Sequence, residues 1–87
     1  MKAKKGFLLR EMCDEHILVP VGEESEKFNG LITLNNAAVW LWDQLAEDIT
    51  EDELVHRMCD RYEGLSEETA RNDLREFLET VKVAVER

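Results

Sequence analysis

The sequence predicts an α+β domain in which a three-stranded antiparallel meander is followed by three helices. Three observations carry this reading. Up to Leu34 the chain reads as strands: Phe7–Met12 and Phe28–Leu34 split into two alternating faces, the period of a half-buried strand, and Ile17-Leu18-Val19 is a short apolar run. Beyond Asn35 they recur every three or four residues, the period of an amphipathic helix. The links between the strand-like stretches are short, which favours consecutive strands pairing antiparallel.

Met1 to Gly6 is basic and has no periodic pattern, so residues 1–6 read as a flexible N-terminal tail and residues 7–87 as one domain. Phe7 to Met12 is the first strand, with Phe7, Leu9 and Glu11 alternating against Leu8, Arg10 and Met12. Cys13-Asp14 stands where a tight turn is needed, and Asp14 tolerates turn geometry. Glu15 to Val21 is the second strand, with Pro20 near its end because it lacks an amide proton. Gly22 to Lys27 is a polar loop. The third strand runs from Phe28 to Leu34. It sets Phe28, Gly30, Ile32 and Leu34 on one face and Asn29, Leu31 and Thr33 on the other. As the last strand of a meander it is an edge, and Gly30-Leu31-Ile32-Thr33 carries no charge or proline to blunt it. Such an edge is either covered by the chain itself or receives another strand.

Asn35 is the N-cap of the first helix, expected from Asn36 to Glu47, with Ala38, Leu41 and Leu45 on its inner stripe beside Leu34 and with Trp42 nearby. Thr50 and Glu53 form a capping-box pair that opens the second helix, whose apolar face is Leu54, Val55, Met58, Cys59 and Tyr62. Gly64 suits a left-handed helix end. Ser66 caps the third helix, and Glu67 and Glu68 complement its positive N-terminal end. Ala70, Leu74, Phe77 and Val81 form its inner stripe, with Leu78 at the edge. Val83, Ala84 and Val85 either prolong that helix or turn into a short packed tail.

Composition narrows the function. A chain of 87 residues supports one modest core and little room for an enclosed active site. Twenty acidic against eleven basic residues give a net charge of −9, which repels phosphate backbones and argues against nucleic acid as a partner. The longest apolar runs, Ile17–Val21 and Ala37–Trp42, are too short to cross a bilayer, and no secretory signal is visible. Two cysteines without framework spacing suit a reducing compartment, so a soluble cytoplasmic protein with no membrane partner is expected.

No catalytic constellation emerges. Ser25 lies in an acidic loop, Ser66 is a cap, and there is no glycine-rich phosphate loop; no cofactor is expected. Cys13, His16, His56 and Cys59 occur as Cys-x-x-His and His-x-x-Cys, donors that suit tetrahedral zinc. The favoured reading is that Cys59 is a small buried hydrophobe and that no metal is held. Trp40 and Trp42 cannot both face the core; Trp42 fits the inner side, and Trp40 reads as partly covered by a loop or as a contact for a partner.

The order Asp14-Glu15, Ile17-Leu18-Val19-Pro20, Phe28-Asn29-Gly30-Leu31-Ile32-Thr33-Leu34-Asn35, Trp42, Thr50, Glu53-Leu54, Tyr62, Asp73 and Phe77-Leu78-Glu79 resembles the PqqD-like family. These are the coenzyme PQQ biosynthesis protein D relatives, also called RiPP recognition elements. Glu47-Asp48-Ile49 stands where many relatives carry Asp-Gly before the helix-capping Thr, and Val83-Ala84-Val85 where they carry Gly-Leu-Leu. The resemblance implies a winged helix-turn-helix-like fold and a non-catalytic task. That task is binding the leader of a ribosomally made precursor peptide and presenting it to a modifying enzyme, often a radical SAM enzyme. It further implies that the leader adds as a strand beside the third strand, in a groove completed by the third helix. Carried onto this chain, the groove is Gly30, Leu31, Ile32, Thr33 and Leu34 against Arg71, Leu74, Arg75 and Leu78.

On a helical wheel Arg71, Arg75 and Lys82 share a stripe beside Leu78, which would make a cationic rim selecting acidic peptides. The alternative is ordinary surface pairing, such as Glu67 with Arg71 and Arg75 with Glu79. Two other functions fit the fold class. One is a winged-helix DNA-binding regulator, disfavoured by the acidic third helix. The other is a small structural subunit whose free edge pairs with its own copy. The oligomer is then a monomer or a strand-swapped homodimer.

Overall fold

A computed structural model describes residues 1–28 and 30–87; Asn29, assigned above to the third strand, lies outside the described residues. The elements are β1 (Lys2–Ala3), β2 (Phe7–Met12), β3 (Glu15–Pro20), α1 (Glu24–Lys27), β4 (Ile32–Leu34), α2 (Asn36–Gln44), α3 (Glu51–Arg61), α4 (Glu67–Thr80), a 3-10 turn (Lys82–Ala84) and β5 (Val85–Glu86). The α+β class and the three-stranded antiparallel meander, here β2-β3-β4, are as the sequence predicts. The third helix of the sequence reading is α4.

Hairpin β2-β3 pairs Phe7 with Pro20 and Met12 with Glu15, leaving Cys13 and Asp14 as a two-residue turn. Both turn residues have positive φ, 52° and 66°, the geometry that matches the right-handed twist of flanking strands. The core face of the sheet carries Phe7, Leu18, Ile32 and Leu34, brought into line by the pairs Leu9–Leu18–Ile32 and His16–Leu34.

The third strand is shorter than predicted. Residues 24–27 form a single helical turn instead of a loop: Ser25 Oγ donates to the Gly22 carbonyl at 2.6 Å, and the Phe28 amide donates to the Glu24 carbonyl at 2.9 Å. That turn occupies Phe28, whose ring packs at a tilt on Phe7 at 6.1 Å, so pairing begins only at Ile32. Gly30 and Leu31 lead into β4 without joining the ladder.

All three long helices start at the predicted caps. Asn35 Oδ1 accepts from the Ala38 amide at 2.8 Å, Thr50 Oγ1 from Glu53 at 3.1 Å, and Ser66 Oγ from Thr69 at 3.1 Å. The Glu53 carboxylate reaches Arg57 at 3.3 Å. Helix α2 stops at Gln44, three residues before the expected end. The Leu45 carbonyl accepts instead from the Ala3 amide at 2.9 Å, and the Ile49 amide donates to the Met1 carbonyl at the same distance. Residues 1–6 therefore hold a place in the fold. Lys2 and Ala3 pair with Glu86 and Val85, and the terminal ammonium meets Asp48 at 2.9 Å. Of the two readings of the C-terminus, the short packed tail is the one present, with Ala84 and Val85 buried.

The core joins the sheet face to Leu41, Trp42 and Leu45 of the first helical segment, Leu54, Val55 and Met58 of α3, and Ala70, Leu74, Phe77, Leu78 and Val81 at α4. Leu78, placed at the stripe's edge from sequence, is buried as deeply as the rest. Trp42 faces this core while Trp40 is half-buried, edge-on to Tyr62 at 6.1 Å and beneath the Arg61 guanidinium at 5.0 Å. Among the described residues no helix is long and apolar enough to cross a membrane.

Candidate functional site

Strand β4 pairs with β3 along one edge only. Among the described residues no other backbone group bonds to Ile32, Thr33 or Leu34. Ile32 and Leu34 point into the core and Thr33 points out, so the open edge is anchored by two buried side chains. Leu31, at its start, is 60% exposed, a large apolar side chain left in solvent.

The open edge borders a groove of about 720 Å³. One wall is Thr33, Leu34 and Asn35. The floor is apolar, with Ala38, Leu41, Met58 and Phe77. The far wall is the turn from Tyr62 to Leu65, followed by Asp73, Glu76 and Thr80 on α4. Gly64 makes that turn with φ +82°, a left-handed conformation that costs a residue with a Cβ about 1–2 kcal/mol. The volume falls within the range of small-ligand sites and suits one or two large side chains of a guest.

Of the nine residues carried over from the resemblance, Thr33 and Leu34 line this groove; Ile32 is a buried core residue, and Gly30 and Leu31, just before β4, are not among the lining residues. The four on α4 lie elsewhere. Leu74 and Leu78 are core residues, 0% and 4% exposed. Arg71 faces the start of α3, with Asp52 at 3.0 Å, Glu67 at 3.2 Å and Glu51 at 3.9 Å; the hydrogen bonds it donates to Asp52 and then to Glu67 push its pKa up. Arg75 meets Glu51 at 3.4 Å. Lys82 holds Glu79 at 2.8 Å, a bond that raises the lysine and lowers the carboxylate. The Arg71–Glu67 pair expected as ordinary surface pairing is present, whereas Arg75 takes Glu51 in place of Glu79. The cationic stripe therefore ties α4 to its neighbours on the side away from the groove.

The groove face of α4 is Asp73, Glu76, Phe77 and Thr80, about half a turn round the helix from Arg71, Arg75 and Lys82. The available signal for these residues was the other flank of the apolar stripe. Three carboxylates, Glu63, Asp73 and Glu76, line the groove, and among the described residues no lysine or arginine does.

Cys13 sits exposed in the hairpin turn and Cys59 is half-buried on α3. Among the described residues no three His, Cys, Asp or Glu side chains come close enough to share a metal ion.

No curated protein matches the chain. Among solved structures, TbiB1 in complex with the TbiA(beta) leader peptide superposes with a TM-score of 0.71 over 94% of this chain and 88% of that one, at 23% identity. At that identity the likeness is one of fold. The family model for coenzyme PQQ synthesis protein D (PqqD) matches residues 15–83, from the second strand of the meander to the end of the helical region. The chain belongs to the PqqD family.

Proposed function

We propose that this protein is a non-catalytic recognition element that binds the leader of a ribosomally made precursor peptide and presents it to a modifying enzyme of the radical SAM class. The leader adds as a strand along β4 and sets apolar side chains into the adjoining groove. The observation that carries this reading is the unpaired β4 edge opening directly onto an apolar-floored groove. Family membership and the fold shared with TbiB1, a protein solved with a leader peptide, support it.

Energetics assign the work within the site. An added strand beside three residues makes about three or four backbone hydrogen bonds, each worth roughly 0.5–1.5 kcal/mol net. Micromolar affinity needs about 8 kcal/mol. The remainder, together with about 4 kcal/mol or more that association costs in lost translational and rotational freedom, falls to side chains entering the groove, at roughly 25 cal/mol per Å² of apolar surface buried. The strand edge thus fixes register and the groove fixes affinity. Nucleic acid is not proposed as a partner, since the groove is lined by carboxylates on a chain of net charge −9.

The test is titration of the isotope-labelled protein with synthetic leaders from short open reading frames encoded beside its gene. Amide shifts confined to residues 30–35, 62–65 and 73–80 are expected. Shifts centred on Arg71, Arg75 and Lys82, or no binding by any leader, would overturn the reading. If β4 instead pairs with a second copy of the chain, added leader competes with self-association, which sedimentation detects.

A further inference from the structure

We infer that the groove beside β4 selects cationic peptides, in which lysine or arginine flanks the apolar anchor residues. The inference rests on the reading of the groove as a leader site and adds the chemical class of its ligand. Glu63, Asp73 and Glu76 are all exposed on the groove walls, and among the described residues no basic side chain lines the groove. None of the three carboxylates forms an ion pair or hydrogen bond among the described residues, in contrast to Glu51, Asp52, Glu67 and Glu79 on the other side of α4. The cation beside the groove, Arg61, lies over the rings of Trp40 and Tyr62 at 5.0 and 5.6 Å.

The carboxylates are also placed to act together. Asp73 and Glu76 are three residues apart on α4 and so are neighbours on its surface. A single ammonium on a flexible lysine stem can meet both, with its methylenes lying along Phe77. Glu63 stands on the adjoining turn. The net charge of −9 adds a field of the same sign, which draws cationic peptides in and repels acidic ones.

The experiment pans a phage-displayed library of random dodecapeptides against the full 87-residue chain at about 50 mM salt. Clones that shift the Ile32–Leu34 amides are kept and sequenced. The leading clone is then synthesised with its basic positions as Lys, Gln or Glu. We expect lysine and arginine to be enriched over aspartate and glutamate. Each exposed ion pair is worth about 1.5- to 5-fold in affinity, so replacing two lysines by glutamines should weaken binding about 2- to 25-fold, and glutamates should weaken it further by repulsion. The double variant Asp73→Lys/Glu76→Lys should reverse the order of the Lys and Glu peptides, and about 500 mM salt should bring them within about twofold. Clones that engage β4 without basic enrichment, or Lys and Glu peptides of equal affinity, overturn the cationic preference while leaving leader binding intact. If no clone shifts the β4 amides, the leader-site reading falls and this inference falls with it.

Discussion

Replacing Leu74 by alanine separates a core residue from a ligand contact. Leu74 is fully buried on α4, and its side chain belongs to the same cluster as Leu54, Phe77 and Val81. The change deletes three carbons, about 0.8 kcal/mol each, or about 2.4 kcal/mol of lost transfer free energy. The cavity left behind raises the cost to about 3–5 kcal/mol, because neighbours tied to the sheet and to α3 collapse only in part. At about 0.05–0.15 kcal/mol per residue, an 87-residue domain has about 4–13 kcal/mol in total, so the variant loses a large share of it. Its Tm should fall by about 15–30 °C. Urea unfolding followed by tryptophan fluorescence reads this out, since Trp42 is buried in the native core. Below its transition, Leu74→Ala should still bind a β4-directed peptide within about threefold, because the groove is lined by Phe77 and not by Leu74. A variant that stays within about 1 kcal/mol of the parent yet loses that peptide would place Leu74 in the groove and refute the core assignment.

Other expectations follow from separate features. Peptide binding by strand addition should slow hydrogen exchange within Ile32–Leu34 while leaving the β2-β3 hairpin unchanged; equal protection everywhere would indicate global stabilisation instead. Gly64→Ala should cost about 1–2 kcal/mol and lower Tm by about 5–10 °C through backbone strain alone, since a Cβ at that φ of +82° meets nothing within 4 Å. A neutral result in thermal unfolding would show that the turn relaxes. A hydrogen bond from the terminal ammonium, and then its charge, hold the Asp48 carboxyl below its usual range. A carboxyl depressed in the folded state stabilises above its unfolded pKa, and that contribution is lost as pH falls through the folded value. Asp48→Asn should therefore flatten the acid limb of stability between the ordinary carboxylate pKa and the lower folded one. Parallel pH profiles for the two proteins would show that the pair contributes nothing.

Local signals were sufficient wherever they were self-contained. Asn35, Thr50 and Ser66 cap their helices because a side-chain oxygen three residues from a free amide needs no distant partner. Gly64 takes a positive φ for an equally local reason. Alternation in Phe7–Met12, the apolar run Ile17-Leu18-Val19 and the Cys13-Asp14 turn sufficed for the hairpin, and the 3.6 period sufficed for the inner stripe of α4.

Long-range pairing decided the rest. The basic start of the chain shows no periodicity, yet Lys2–Ala3 is held by Val85–Glu86 and by the freed carbonyl at the end of α2, partners more than forty residues away. The site was half legible for a related reason. The sequence marks the open edge at Ile32–Leu34, and it marks two polar flanks on either side of the α4 apolar stripe, one with Arg71, Arg75 and Lys82 and one with Asp73, Glu76 and Thr80. A helical wheel has no preference between them. Only the packing of α4 against α3 does: it turns the arginines toward the carboxylates of Glu51 and Asp52 and leaves Asp73 and Glu76 facing the groove. The charge lining the groove is thereby inverted, from the basic rim expected to an acidic one.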